Sequence, residues 1–277
     1  MTAAAGDREG LLDGTRFRLC GEGPSVVLIH GVGMDLEMWE AVVGRMRQGR
    51  RILSYDMLGH GGSAKPPGPY RLADFVAQLT VLTGGLGLAR FDLVGFSMGA
   101  MVAQAFAAAN PQAAGGLVLL NGVYNRSPSE STAVRARVNE VLNGGYAASI
   151  AAALERWFSP EFRKTRPDVV AAVRRRMESN DLAAYAAAYA VFASADRELV
   201  DIVHRIETPT LVATGAEDQR STPAMAHALS ARLPRGQVQI MDGQRHLTPL
   251  EAPERVASLI EEFLAGIAGK AEEVVQA

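Results

Sequence analysis

The chain has 277 residues, of which 48% are hydrophobic and 21% charged, a balance typical of a globular protein that buries a substantial core. Its formal net charge of −2 gives no electrostatic basis for binding nucleic acid or an anionic membrane surface. A single cysteine, Cys20, excludes an internal disulfide framework and a thiolate metal site.

The beginning of the chain and its apolar stretches bear on cellular location. Residues 1–10 lack the basic start and apolar run of a signal peptide. No later stretch reaches the about 18 uninterrupted apolar residues that a transmembrane helix needs. We therefore expect a cytoplasmic protein, and the sequence leaves its oligomeric state open.

From residue 14 onward, short apolar runs alternate with longer amphipathic stretches. The predicted strands are Val26–His30, Arg51–Tyr55, Phe91–Phe96 and Gly116–Leu120, and the predicted helices between them are Leu36–Gln48, Leu72–Leu86 and Met98–Ala109. Strands this apolar are buried on both faces, as in a parallel sheet covered by helices on each side. The pattern therefore predicts an α/β fold.

Residues 124–206 break this alternation, because they contain helical patterns and no convincing buried strand. The predicted helices there are Val134–Leu142, Ala147–Phe158, Val169–Glu178 and Leu182–Ala195. The alternation then resumes with strand Thr210–Thr214, helix Ala224–Leu233, strand Gln237–Met241 and helix Pro253–Gly266. We predict an α/β core formed by residues 1–123 and 207–277, with a helical insertion at 124–206.

The motif Gly95-Phe96-Ser97-Met98-Gly99 lies where a predicted strand gives way to a predicted helix. A sharp turn at this junction would expose the Ser97 hydroxyl, and glycines on either side let the strand and helix backbones approach closely. The helix N-terminus would direct N–H groups at developing negative charge. Ser97 is therefore the predicted nucleophile.

A serine hydroxyl needs an adjacent base, and the chain has five histidines. His246 follows the strand Gln237–Met241 by a short loop, at the edge of the sheet where catalytic groups gather in open α/β folds. His204 and His227 fall in helical patterns and are predicted to face solvent. His30 and His60 flank glycine turns and are predicted to brace loops near the site.

The base needs a carboxylate to orient it, and Asp218 follows the strand Thr210–Thr214. The order Ser97, Asp218, His246 is the one found in folds with a G-x-S-x-G nucleophile turn. Glu217 competes for the acid role. The other position for the acid, after Gly116–Leu120, carries Asn121, which cannot supply a carboxylate.

Acyl transfer also needs donors for the developing oxyanion. His30-Gly31-Val32-Gly33 follows the first predicted parallel strand, and the Val32 N–H is the best-placed donor in it. The Met98 N–H, just after the predicted nucleophile, would supply the second. None of these steps requires a cofactor or a metal ion.

Four segments resemble the α/β-hydrolase superfamily. They are His30-Gly31-Val32-Gly33, the run from Tyr55 to Ser63, the turn at Ser97, and His246-Leu247-Thr248-Pro249-Leu250-Glu251. Within the superfamily, Asp35–Trp39, Pro67–Tyr70 and Phe96–Gly99 are similar to 3-oxoadipate enol-lactonases, and the layout also resembles cofactor-free haloperoxidase-type esterases. A serine at the turn separates the chain from relatives of this fold that attack with an aspartate.

The resemblance implies that residues 124–206 form a cap over the site. Trp157 and Phe192 on the insertion, with Met34 and Trp39 near the predicted chemistry, are candidate substrate-binding residues. The insertion also carries Arg126, Arg135, Arg137, Arg156, Arg163, Arg166 and Arg174–Arg176. These arginines either form a solvated helix face or supply a ligand for a substrate carboxylate, and the sequence leaves both readings open.

The leading hypothesis is a hydrolase that cleaves a small carboxylic ester or lactone through an acyl-enzyme on Ser97. A C–C bond hydrolase or a perhydrolase would use the same three residues. A third hypothesis, of another class, is a small-molecule receptor that keeps the three residues and recruits a partner when ligand binds.

Overall fold

The computed structural model describes residues 7–276, apart from the side chains of residues 142, 144 and 270–276. Eight strands form one sheet in the order β1-β2-β4-β3-β5-β6-β7-β8, in which β2 pairs antiparallel with β1 and β4 and every other neighbouring pair is parallel. The strands are β1 (Arg8–Leu12), β2 (Thr15–Cys20), β3 (Ser25–Ile29), β4 (Arg51–Tyr55), β5 (Phe91–Phe96), β6 (Ala114–Leu120), β7 (Thr210–Gly215) and β8 (Gly236–Met241).

Eleven α-helices flank the sheet within the described part of the chain. They are α1 (Glu40–Met46), α2 (Leu72–Gly85), α3 (Met98–Ala109), α4 (Pro128–Glu140), α5 (Tyr146–Trp157), α6 (Pro160–Thr165), α7 (Pro167–Glu178), α8 (Leu182–Val200), α9 (Pro223–Arg232), α10 (Thr248–Glu251) and α11 (Pro253–Gln276). Helix α1 packs against α11, and α2 packs against α3. No helix among residues 7–276 is both long and apolar enough to cross a membrane.

The α/β fold expected from the alternating pattern is confirmed. The predicted strands did not include β1 and β2, because neither is a continuous apolar run. Strand β1 is largely exposed, and β2 alternates buried Phe17 and Leu19 with Arg16 and Arg18. Those two arginines form ion pairs with Glu9 and Glu37, as expected for an antiparallel strand with one solvated face.

The central strands are aligned so that their carboxyl ends meet at one edge of the sheet. Ile29 of β3 lies beside Gly95 of β5, which lies beside Leu119 of β6. Leu119 in turn lies beside Val212 of β7, and Val212 beside Val238 of β8. The loops that follow these five strands therefore emerge close together, which is where open α/β sheets bind ligands.

Helix α3 approaches the sheet closely because two positions lack a side chain. A Cβ at Gly95 would overlap the Gly99 carbonyl oxygen, and a Cβ at Gly99 would overlap the Ile29 carbonyl oxygen. Between them, Ser97 has φ 53° and ψ −112°, a left-handed conformation that costs a non-glycine residue about 1–3 kcal/mol. The two glycines thus permit the sharp turn that carries Ser97.

We expect Gly99→Ala to lower the free energy of unfolding by about 1–3 kcal/mol, because the added methyl group must displace the backbone of β3. Gly44→Ala is the matched control, since a Cβ at Gly44 in α1 meets no atom within 4 Å. This control should stabilise the protein slightly, by about 0.5–1 kcal/mol. Urea denaturation of both variants measures the difference, and equal stabilities would contradict the close-approach argument.

Candidate active site

Ser97 occupies the turn between β5 and α3. Its N–H donates to the Leu120 carbonyl at 2.8 Å, and its own carbonyl accepts from the Ala100 N–H at 3.1 Å, so the turn is tied to both β6 and α3. The residue is only 2% exposed, and it lines a cavity above this edge of the sheet. The turn therefore places the predicted nucleophile at this cavity.

His246 lines the same cavity from the loop after β8. Its Nδ1 lies 2.7 Å from Oδ2 of Asp218. The imidazole lies beside the rings of Phe96 and Trp157, with centroids 5.2 and 6.1 Å away. The backbone N–H of His246 also donates to the Trp157 carbonyl at 3.1 Å, so the end of α5 positions this loop.

Asp218 is a buried carboxylate, and both of its oxygens have hydrogen-bond partners. Oδ1 accepts from the N–H groups of Arg220 and Ser221 at 2.9 and 3.0 Å. Oδ2 accepts from the Asn121 amide at 2.9 Å and faces His246 Nδ1. Burial alone would raise the pKa of Asp218, but His246 and the hydrogen-bond donors lower it below its ordinary value. The carboxylate is therefore held ionised, and His246 carries its proton on Nδ1.

Asn121 has a role that the sequence did not reveal. It follows β6 with a φ of 49°, and its amide nitrogen donates to Asp218. Its amide oxygen accepts from the Thr248 hydroxyl at 2.6 Å, which determines the orientation of the amide. The sequence indicated only that Asn121 cannot act as the acid, whereas the structure places it as a donor to the acid.

The competing carboxylate, Glu217, does not approach His246. Its side chain is exposed and pairs with Arg245, whose Nε lies 3.4 Å from Glu217 Oε2. Asp218, the neighbouring residue, is 3% exposed and faces inward. Of the two acids weighed from the sequence, only Asp218 is brought to the histidine.

Two backbone N–H groups flank Ser97. Val32 lies in the loop after β3 and lines the cavity, and Met98 is the first residue of α3. Within the residues that the structure describes, neither N–H donates to a protein acceptor. The N-terminus of the twelve-residue helix α3 adds the positive end of its dipole at this point. The arrangement can stabilise a negatively charged oxygen beside Ser97.

His30 and His60 lie beneath the site as a buried pair, with ring centroids 5.1 Å apart. His30 Nε2 accepts from the Met57 N–H at 2.8 Å, and its Nδ1 lies 2.7 Å from the Gly31 carbonyl oxygen. This side chain therefore joins the loop after β3 to the loop after β4. Burial lowers the pKa of His30 to about 4 and that of His60 to about 3, so both are neutral.

The remaining two histidines, His204 and His227, are exposed and are not part of the cavity wall, in agreement with their prediction as solvent-facing residues. Among the residues described, no group of three or more His, Cys, Asp or Glu side chains is arranged to hold a metal ion.

The cavity has an empty volume of about 910 Å³, part of it open to solvent. Met34, Trp157 and Phe192 line it, as expected for substrate-binding residues. Trp39 does not: its side chain is fully buried in the hydrophobic core, and the cavity wall does not include it. The sequence could not distinguish these cases, because an apolar residue near a motif can point to either side of its backbone.

The arginines of residues 124–206 lie in three settings. Arg163 and Arg176 are half-buried outside the cavity wall, and Arg176 pairs with Asp35. Arg135, Arg166, Arg174 and Arg175 are exposed, as expected for a solvated helix face. Arg126, Arg137 and Arg156 line the cavity instead. A fourth arginine of the cavity wall, Arg220, follows β7. It was not among the candidate ligands predicted from the sequence, because it lies outside residues 124–206.

Several known proteins resemble this chain over most of its length. A model of the alpha/beta hydrolase family matches residues 26–259. The chain is 33% identical to "(E)-2-((N-methylformamido)methylene)succinate hydrolase" of Acinetobacter baylyi, over 88% of this chain and 91% of that protein. It is 25% identical to "3-oxoadipate enol-lactonase 2" of the same organism, over 86% of this chain and 87% of that protein. The crystal structure of the enol-lactonase from Burkholderia xenovorans LB400 superposes with a TM-score of 0.84 at 27% identity, covering 93% of this chain and all of that one.

The buried histidine pair predicts how stability depends on pH. An unfolded histidine has a pKa near 6.5, whereas His30 and His60 have values of about 4 and about 3 when folded. Because the unfolded state binds more protons below pH 6.5, the stability present above that pH falls as the pH drops towards 4. Each histidine should contribute about 1.4 kcal/mol per pH unit in that range.

Urea denaturation between pH 7 and pH 4.5 measures this slope. We expect His60→Gln to reduce the slope of unfolding free energy against pH by about 1.4 kcal/mol per pH unit, which is the contribution of one buried histidine. His227→Gln, at an exposed position, is the control and should change the slope far less. A wild-type slope equal to that of His60→Gln would show that His60 is not held neutral by burial.

Proposed function

Because the chain belongs to the α/β-hydrolase family, we propose that it is a serine hydrolase that cleaves a small carboxylic ester or lactone through an acyl-enzyme on Ser97. One observation carries the proposal. The Asp218–His246 pair, joined at 2.7 Å, meets Ser97 at a single cavity over the carboxyl ends of the strands. A serine, an oriented histidine and an ionised aspartate are the groups that acyl transfer requires.

In the first half-reaction, Ser97 Oγ attacks the acyl carbon while His246 Nε2 takes the hydroxyl proton. Nε2 is free for this role because Nδ1 carries the proton shared with Asp218. The oxygen of the former carbonyl then becomes negative, and the N–H groups of Val32 and Met98 stabilise it. Collapse of this intermediate breaks the C–O bond, and His246 returns the proton to the departing oxygen.

In the second half-reaction, water attacks the acyl carbon on Ser97, and His246 removes its proton. Collapse releases the carboxylic acid and restores the serine hydroxyl. With a lactone, the alcohol formed in the first step stays attached to the acyl group, so one ring-opened product leaves. Asp218 stays ionised throughout and stabilises the His246 imidazolium.

The names of two relatives support a lactone or ester as the substrate. One relative is named a 3-oxoadipate enol-lactonase, and the enol-lactonase from Burkholderia xenovorans shares the fold at 27% identity. A second candidate is hydrolysis of an N-acyl bond. It is favoured by the 33% identical relative, whose name gives a formamido compound as the substrate. The same acyl-enzyme serves both reactions, with His246 donating its proton to nitrogen rather than oxygen.

Residues 124–206 act as a cap in this proposal. Helices α4, α5, α7 and α8 contribute to the cavity wall, and the Trp157 carbonyl at the end of α5 accepts from the His246 N–H. A wall of this kind limits the access of bulk water to the reacting carbon, while the site still admits the water molecule that hydrolyses the acyl-enzyme. Met34, Trp157 and Phe192 supply the apolar surface against which the acyl chain packs.

Replacing the nucleophile tests the proposal. We expect Ser97→Ala to reduce turnover of p-nitrophenyl acetate about a thousandfold or more, because no other group replaces the attacking oxygen. Ser149→Ala is the matched control, since Ser149 is a second serine on the same cavity. Its turnover should stay within a few-fold of wild type, and circular dichroism should show both variants folded. Full activity of a folded Ser97→Ala protein would refute the assignment.

A further inference from the structure

Three arginines on the cavity wall lack a carboxylate partner among the described residues. Arg137 lies on α4, Arg156 on α5, and Arg220 in the loop that carries Asp218. The Nε of Arg156 is buried and donates to no protein acceptor. Three different elements therefore bring unpaired guanidinium groups to the cavity that holds Ser97 and His246.

These three arginines are close enough to repel one another. Burial lowers the pKa of Arg156, and the positive charges of Arg137 and Arg220 lower it further. Burial also lowers the pKa of Arg220, and Arg137 adds to this effect. An anion that binds between these arginines would offset the repulsion between their positive charges.

The fourth arginine of the wall is already neutralised. Arg126 is buried and pairs with buried Asp196, whose Oδ1 lies 3.0 Å from Arg126 Nη1. The guanidinium also lies 4.3 Å from the centre of the Phe192 ring. Arg126 therefore contributes structure to the wall rather than an available positive charge.

One acid reduces the excess of positive charge. Glu130 lines the cavity, and its carboxylate accepts from the N–H and hydroxyl of Ser127 at the start of α4. Glu155 lies near Arg156, but it is exposed and is not part of the wall. Three unpaired arginines face one glutamate on the wall, and Asp218 offsets part of the charge of Arg220. The wall therefore keeps an excess of positive charge that an anionic ligand would balance.

We propose that Arg137, Arg156 and Arg220 form a binding site for two carboxylate groups, so that the substrate is a small dicarboxylate that carries the scissile acyl bond. This inference rests on the proposed function, because it assigns the substrate class of the same cavity. A guanidinium binds a carboxylate through two parallel hydrogen bonds, which orients the ligand as well as attracting it. The apolar surface of Trp157 and Met34 then contacts the carbon chain between the charged groups.

The position of Arg220 relates this binding site to the chemistry. Its backbone N–H donates to Asp218 Oδ1 at 2.9 Å, while its side chain lines the cavity. A carboxylate held by Arg220 therefore lies next to the loop that orients His246. The same short loop therefore positions both the bound carboxylate of the substrate and the Asp218–His246 pair.

Binding of succinate, compared with its neutral isostere succinamide, tests the site without depending on activity. Isothermal titration should detect succinate binding to the wild-type protein and far weaker binding of succinamide. We expect Arg156→Gln to weaken succinate binding about tenfold or more, because a charge-assisted hydrogen bond is lost. Arg135→Gln should leave it unchanged, since Arg135 lies on the exposed face of α4. Equal affinities for the two ligands, or no succinate binding, would overturn the inference.

Kinetics with two esters distinguish this inference from the function on which it rests. The acid monoester 4-nitrophenyl hydrogen glutarate carries one free carboxylate, and 4-nitrophenyl pentanoate is its neutral counterpart. Arg156→Gln and Arg220→Gln should raise KM for the charged ester about tenfold and raise KM for the neutral ester far less. An equal rise in KM for both esters would refute the carboxylate site but not the proposed hydrolase function. Arginine-dependent succinate binding together with undiminished hydrolysis by Ser97→Ala would refute the proposed function and keep the site.

Discussion

The buried carboxylate of Asp218 connects the ends of three strands. It accepts hydrogen bonds from Asn121 after β6, from the backbone of its own loop after β7, and faces His246 after β8. A charge buried without such partners would be strongly destabilising, so these contacts offset the loss of hydration. The same contacts that keep the carboxylate ionised therefore fix the geometry of the histidine, and removing any one would affect both charge and position.

A second constraint acts at the turn between β5 and α3. Gly95 and Gly99 let α3 approach the backbone of β3, and Ser97 takes a left-handed conformation between them. The parallel register of β3 and β5 places the loop with Val32 beside this turn. Local strain at one serine is thus maintained by packing of strands and helix around it, which is how such conformations persist in folded proteins.

Much of this arrangement could be predicted from the sequence, because it depends on local patterns. Apolar runs located the central strands, and residues just after a strand in a parallel sheet must lie at one edge. Ser97, Asp218 and His246 were identified on that basis. The hydrogen bond from the Asn121 amide to Asp218 could not be predicted in this way, since it depends on the direction of the Asn121 side chain in the folded protein. Trp39 was misplaced for a similar reason: the pattern indicates proximity along the chain but not the direction of the side chain.

The charged residues that line the cavity could not be predicted from the sequence for the same reason. The run of arginines in residues 124–206 was visible, but the side chains that face inward were not, and Arg220 comes from a different part of the chain. Ester, lactone, N-acyl and C–C hydrolysis, and perhydrolysis, use the same three side chains. Substrate choice therefore depends on the cavity wall and is decided by product analysis rather than by the triad.

Covalent labelling with a fluorophosphonate tests the central claim most directly. An activated Ser97 oxygen attacks the phosphorus and displaces fluoride, leaving a stable adduct. Mass spectrometry of a digest should find the added mass on the peptide that contains Ser97, with labelling much slower in His246→Ala and normal in His227→Ala. Labelling of another residue, or labelling of Ser97 at the same rate without His246, would contradict the account.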